Sequence, residues 1–223
     1  MAYAELNSTA LKMVMRKKGI LAADESTGTM TKRLDSINVA STSESRRQWR
    51  QLLFQTPDIG DYISGVIMYD ETLRQCDDSG KTLVELLADN DIISGIKVDY
   101  STHDLAGAPG EFITEGLDGL RGRLAEYYNL GARFTKWRAL ITIGEERPSD
   151  YAIHTNMHAL ARYSVLCQEQ GLVPIVEPEI LMEGTHSIDD CRSATTRSLI
   201  AVFGELDAQN VDLEGIVLKP NMV

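Results

Sequence analysis

The sequence predicts an α/β fold of the (β/α)8 barrel type, with about six of the eight strands present. Short apolar stretches alternate with helical segments along all 223 residues, the pattern of a parallel sheet whose crossovers are helices. The ends of those stretches carry ionisable residues in all six cases. Charges that end buried strands must converge on a shared polar site, because each alone would bear an unpaired desolvation cost. In a (β/α)8 barrel the strand C-termini converge in this way, and the active site lies there. A doubly wound sheet is the runner-up; its ligand site draws on fewer strands, and no GxGxxG follows the first stretch.

In order, the expected strands are GILAADES (19–26), SGVIMYDET (64–72), SGIKVD (94–99), ARFTKWR (132–138), LVPIVEPE (172–179) and EGIVLKPN (214–221). They are short and bounded by Gly or Pro, as buried parallel strands are. Their charged ends are Asp24 and Glu25, Asp70 and Glu71, Lys97 and Asp99, Lys136 and Arg138, Glu177 and Glu179, and Lys219. A short N-terminal helix is expected to end at Gly19, with Arg16, Lys17 and Lys18 in its last turn. Further helices are expected over 44–54, over 80–89, and from an N-cap at Ser149 to a stop at Gly171. Ser187 and Asp190 open another as a capping-box variant. The whole of 1–223 is expected to form one barrel domain, incomplete at its C-terminus.

Composition narrows the function. Hydrophobic residues make up 43% and charged residues 25%, the balance of a soluble globular protein. No apolar run reaches the roughly 18 residues of a membrane span, and no secretory signal opens the chain. Cys76, Cys167 and Cys191 are far apart with no CxxC, which fits a reducing cytosol and three structural thiols. The net charge of −11 argues against a nucleic-acid backbone as partner. A phosphorylated small molecule remains open, since a local cluster of Lys and Arg is enough to hold it.

The chemistry centres on Lys219. A lysine buried among other cations loses proton affinity, and as a neutral amine it attacks carbonyl groups to form a Schiff base. Pro220 biases Lys219 towards extended backbone. A simple ion pair with a nearby carboxylate is the alternative. Lys136 and Arg138 stand i, i+2 on one strand and Glu177 and Glu179 i, i+2 on the next, so each pair shares a face. Together they form either an acid–base set or a salt-bridge network at a barrel mouth. His154 and His158 are i, i+4 on a helix with no third zinc ligand evident, and no metal is expected. His103 and His186 are placed in surface loops, and Trp49 and Trp137 in packing.

The motifs LAADESTGTMTKRL, SGVIMYDETL, GIKVD, FTKWRA, VPIVEPEIL and VLKPNMV together resemble the class I fructose-bisphosphate aldolases, over Gly19 to Val223 and in the right order. The resemblance implies a (β/α)8 barrel that reversibly cleaves fructose 1,6-bisphosphate into dihydroxyacetone phosphate and glyceraldehyde 3-phosphate, without metal or other cofactor. It implies Lys219 as the Schiff-base lysine and Glu177 as the general acid–base. It implies Asp24 as the carboxylate at the C4 hydroxyl, Lys136 as the neighbour of the nucleophile, and Glu179 as the residue that holds the lysines. Ser26, Thr29, Lys32, Arg33, Lys97 and Arg138 match positions near substrate phosphates or hydroxyls; Thr29 stands where the family often has serine.

The family continues past LKPNMV for two more strands and a tail. The chain is therefore expected to be a fragment, poorly soluble and inactive alone, of a cytoplasmic enzyme of glycolysis and gluconeogenesis that is a homo-oligomer (a tetramer by resemblance). A non-catalytic binding or scaffold role is the second function class, distinguished by whether the reading frame continues beyond Val223. A transaldolase is a weaker third, since AADESTG and KWR do not suit it.

Overall fold

A computed structural model of the protein describes residues 2–222. The strands are β1 (Gly19–Ala23), β2 (Ile63–Met68), β3 (Ile93–Lys97), β4 (Ser101–Asp104), β5 (Phe112–Glu115), β6 (Phe134–Ile141), β7 (Val173–Ile180) and β8 (Val217–Leu218). The helices are α1 (Ala2–Met13), α2 (Thr27–Asp35), α3 (Ser43–Phe54), α4 (Asp70–Leu73), α5 (Leu83–Ala88), α6 (Leu120–Asn129), α7 (Asp150–Glu169) and α8 (Ile188–Ala208). The hydrogen-bonded strand order is β1-β2-β3-β6-β7-β8, with β4-β5 a separate pair. That order never reverses, as it must at the switch point of a doubly wound sheet.

The chain forms two compact units. Leu11–Lys97 and Glu126–Thr135 make one; the segment to Ala10, Val98–Ala125 and the chain from Lys136 make the other.

In the first unit, β1, β2 and β3 pair in parallel, with Ala23 opposite Met68 and Met68 opposite Ile96. Val66, Ile67 and Met68 are all buried, so β2 is covered on both faces, as parallel strands are. The expected strands ran too long. Asp70 and Glu71 lie in the first turn of α4, where carboxylates suit the positive end of the helix. Asp24 and Glu25 lie between the end of β1 and α2, a helix the sequence reading did not anticipate. β1 is also only partly buried, because an end strand of the sheet has a neighbour on one side.

The N-terminal helix ends at Met13, not at Gly19. Lys17 turns the chain with φ of 74°, and the Gly19 N–H is taken up by the Tyr62 carbonyl at 2.8 Å. Gly19 is needed to start β1 and cannot cap α1.

Phe134 sets the core of this unit. Its ring is fully buried and lies where Gly65 and Gly95 have no side chain. A Cβ on Gly95 would fall 2.2 Å from the Phe134 ring, and one on Gly65 3.0 Å from it. Overpacking of this kind costs roughly 1–3 kcal/mol or more. Gly95→Ala is therefore expected to lower the urea midpoint clearly; an unchanged midpoint would mean the ring is free to move aside.

In the second unit β7 and β8 pair in parallel, with Val176 opposite Leu218. The two long helices begin as expected. Ser149 Oγ accepts the Ala152 N–H at 3.1 Å, and Ser187 with Asp190 completes a capping box. Gly171 takes φ of 75° just past α7. The β4-β5 hairpin was not anticipated; its strands are four residues each, too short to show a period. His103 therefore lies on a strand, exposed, instead of in a loop, and His186 is half-buried. The three cysteines form no disulfide, Cys167 and Cys191 being buried and Cys76 exposed, so a structural role fits only the first two. Among the described residues no helix is long and apolar enough to cross a membrane.

Candidate active site

Strand alternation builds the site in the second unit. On β6, Trp137 is fully buried and packs on Tyr163 of α7, with ring centroids 5.5 Å apart. Lys136 and Arg138 consequently share the opposite face. On β7, Glu177 and Glu179 alternate in the same way. The Lys219 N–H donates to the Val176 carbonyl at 2.9 Å, which brings Lys219 beside the next residue of β7, Glu177.

The side chains then meet in two rungs. Lys219 Nζ donates to Glu177 Oε1 at 2.5 Å, and Lys136 Nζ lies 3.4 Å from Glu177 Oε2. One residue pair further along, Arg138 Nε bonds Glu179 Oε2. Glu177 and Lys136 are deeply buried, with side chains 4% and 9% exposed, while Lys219 is 46% exposed. A buried carboxylate between two ammonium groups is compensated in charge. Its Oε2 accepts no hydrogen bond of good geometry, which is rare for a buried acceptor, and faces the Lys136 ammonium as an ion pair.

One sequence expectation needs correction here. The buried lysine is Lys136, not Lys219. β8 is two half-buried residues long and, among the described residues, pairs with β7 alone. Glu179 bonds Arg138, because an i, i+2 step of roughly 7 Å carries it to the next rung from Glu177.

In the first unit, Asp24 follows β1 directly and is half-buried, while Lys97 is the last residue of β3. Ser26 caps α2: its hydroxyl accepts the Thr29 N–H at 3.3 Å, and the two hydroxyls lie 3.1 Å apart. Arg33 pairs with Glu25, and Lys32 is exposed. Ser26, Thr29 and Arg33 thus also have structural partners within their own segment.

Sequence reasoning missed the arginines of α3. Arg46 grips Glu71 through Nε at 2.8 Å and Nη2 at 2.6 Å, and the Arg46 guanidinium holds the Glu71 carboxyl below its ordinary range against the upward push of burial. Arg50 is 1% exposed and donates to the carbonyls of Ala23 and Glu25 at 3.0 and 2.7 Å. The signal was present: Arg46, Arg50 and Phe54 recur every four residues with Arg47 beside them, so three arginines occupy the buried face of the helix.

His154 and His158 do have a third neighbour. Glu205 of α8 lies 3.3 Å from His154 Nδ1 and 2.9 Å from His158 Nδ1. Each carboxylate oxygen meets one ring, and no group of three such residues with metal-holding geometry occurs among the described residues.

Residues 5–223 match the model of the glycolytic class I fructose-bisphosphate aldolases. A protein of Xanthomonas campestris described as "Probable fructose-bisphosphate aldolase class 1" is 55% identical over the whole chain, which spans 67% of that relative. The cytosolic fructose-bisphosphate aldolase 4 of Arabidopsis thaliana is 53% identical over 98% of the chain and 56% of its own length. Among solved structures, the aldolase of Plasmodium falciparum, crystallised with TRAP and a small-molecule inhibitor, superposes with a TM-score of 0.98 at 48% identity, covering all of this chain and 65% of that one. That fold is the (β/α)8 barrel, of which this chain carries six parallel-type strands with their helices. The chain belongs to the class I fructose-bisphosphate aldolase family.

Proposed function

We propose that the full-length protein reversibly cleaves fructose 1,6-bisphosphate to dihydroxyacetone phosphate and glyceraldehyde 3-phosphate through an imine on Lys219. The observation that carries this reading is the buried Glu177 carboxylate with the Lys219 amine 2.5 Å from one of its oxygens. A carboxylate at hydrogen-bond distance takes the proton of the ammonium and frees the amine to attack the C2 ketone. The addition gives a carbinolamine whose new hydroxyl is bonded to the same carbon as Nζ. Glu177 then returns the proton to that hydroxyl, which leaves as water, and the nitrogen lone pair closes the iminium.

Asp24, at its place in the LAADES motif, takes the C4 hydroxyl proton. The C3–C4 bond breaks, its electron pair flows into the iminium, and glyceraldehyde 3-phosphate departs. Protonation of the enamine at C3 and addition of water to the imine release dihydroxyacetone phosphate and restore Lys219. Lys136 contributes a second cation on Glu177, this one buried, and Arg138, Lys97, Lys32, Arg33, Ser26 and Thr29 hold substrate phosphates and hydroxyls. Fixed cations at a dianionic phosphate turn remote binding energy into alignment of the bond to be broken.

The protein so read acts in the cytoplasm, as a homo-oligomer, and needs no metal. An assay of aldehyde release from fructose 1,6-bisphosphate tests the activity, and borohydride reduction in the presence of dihydroxyacetone phosphate tests the imine. Full-length protein is expected to cleave the substrate at an undiminished rate after dialysis against EDTA. A loss that zinc restores would overturn the Schiff-base reading.

A further inference from the structure

We propose that Arg50 is a positioning residue for Asp24: its guanidinium clamps the carbonyls that bracket this carboxylate and so fixes where the carboxylate points. The inference rests on the role given to Asp24 above.

Asp24 lies between the last ladder pair of β1 and the first turn of α2. Ala23 is the last residue of β1 with a ladder partner, Met68. The first bond of α2 runs from the Met30 N–H to the Ser26 carbonyl, at 2.9 Å. Between strand and helix lie Asp24, Glu25 and the N-cap Ser26, and Arg50 ties across the first two. Its Nε donates to the Ala23 carbonyl at 3.0 Å and its Nη2 to the Glu25 carbonyl at 2.7 Å. The two donors belong to one rigid planar fork, so the Ala23 and Glu25 carbonyls, one on each side of Asp24, are held at a set spacing. Lysine, a point charge on a flexible stem, cannot bridge two carbonyls in this way.

The burial is costly for a residue with only a bracing role. Arg50 is 1% exposed, and an arginine on a helix face is ordinarily solvated. Burial lowers its proton affinity, while the carboxylates of Glu25, Glu71 and Asp24 act to raise it. Glu25 Oε2 lies 3.8 Å from Nη2, yet neither that oxygen nor Arg50 Nη1 has a hydrogen-bond partner. Two buried polar atoms, one donor and one acceptor, are thus left open beside the turn. Unpaired buried atoms of this kind are rare in folded proteins, and Nη1 remains a donor beside the turn.

The test is a double-mutant cycle in the full-length protein with Asp24→Asn, Arg50→Lys and the pair. Three readouts are taken: kcat for cleavage of fructose 1,6-bisphosphate, borohydride trapping of dihydroxyacetone phosphate at Lys219, and the unfolding midpoint. Misplacement of a reacting group by about 1 Å costs on the order of 100-fold. Arg50→Lys is therefore expected to lower kcat by about 10- to 100-fold and leave trapping near the parent level. The double variant should cleave no more slowly than Asp24→Asn alone, because removing the carboxylate removes what Arg50 positions. Arg50→Met serves as a second probe that fills the volume without the fork, and should give the same split.

Independent, multiplying losses in the double variant would overturn the inference, as would trapping that falls in step with cleavage. Failure of both Arg50 variants to fold would also overturn it, since Arg50 would then serve the fold alone. If Asp24→Asn itself cleaves normally, the role of Asp24 is wrong and this inference falls with it. That result is distinct from an impaired Asp24→Asn beside unaffected Arg50 variants.

Discussion

Lys219→Ala in the full-length protein is expected to abolish cleavage, by on the order of 10⁴-fold or more as for other lost nucleophiles, and to abolish borohydride trapping with it. Two lysines contact Glu177, so the choice between them must be argued. Lys219 is nearer the carboxylate, at 2.5 Å against 3.4 Å for Lys136, and its side chain is 46% exposed against 9%. A nucleophile must be reached by a substrate carbonyl and must have a base in hydrogen-bond contact. Lys219 meets both conditions. Lys136, enclosed by the packing of β6, meets neither as well, and Lys136→Ala should slow cleavage and trapping without abolishing either. Peptide mapping after borohydride reduction decides the matter directly. Substrate found on Lys136 or Lys97 would refute the assignment.

The site face of β6 and β7 was legible because strand alternation is a strict rule. FTKWRA and VPIVEPEIL each place two ionisable residues two apart, and residues two apart in a strand cannot diverge to opposite faces. The structure joins them rung by rung, Lys136 to Glu177 and Arg138 to Glu179. What the alternation could not give was the register between strands, which decides that Glu179 meets Arg138. Strand ends were illegible for a related reason. Asp24, Glu25, Asp70 and Glu71 continue an apolar run without any Gly or Pro to mark the stop, although helices begin there. Arg50 escaped notice because an arginine in a helical stretch is ordinarily a solvated residue. Only its spacing from Arg46 and Phe54 hinted at a buried polar face.

Glu177→Gln carries the second large effect, and it should appear in two places at once. As the group that takes and returns a proton, Glu177 supplies general acid–base catalysis, typically worth 10²- to 10⁴-fold. The amide keeps the shape but holds no transferable proton, so cleavage should fall by about that factor. Trapping should slow yet still mark Lys219, since the nucleophile is intact. The same change leaves two ammonium groups with no anion between them. Breaking a buried ion pair at one partner costs roughly 3–5 kcal/mol, so the unfolding midpoint should drop as well. Glu179→Gln is the matched control one rung away. Its pair with Arg138 is far more open, with side chains 30% and 39% exposed, and exposed pairs contribute about 0–1 kcal/mol. The control should therefore melt almost as the parent does and lose little of the imine chemistry. Equal damage from the two substitutions, in stability or in trapping rate, would show that Glu177 has no special place between the lysines.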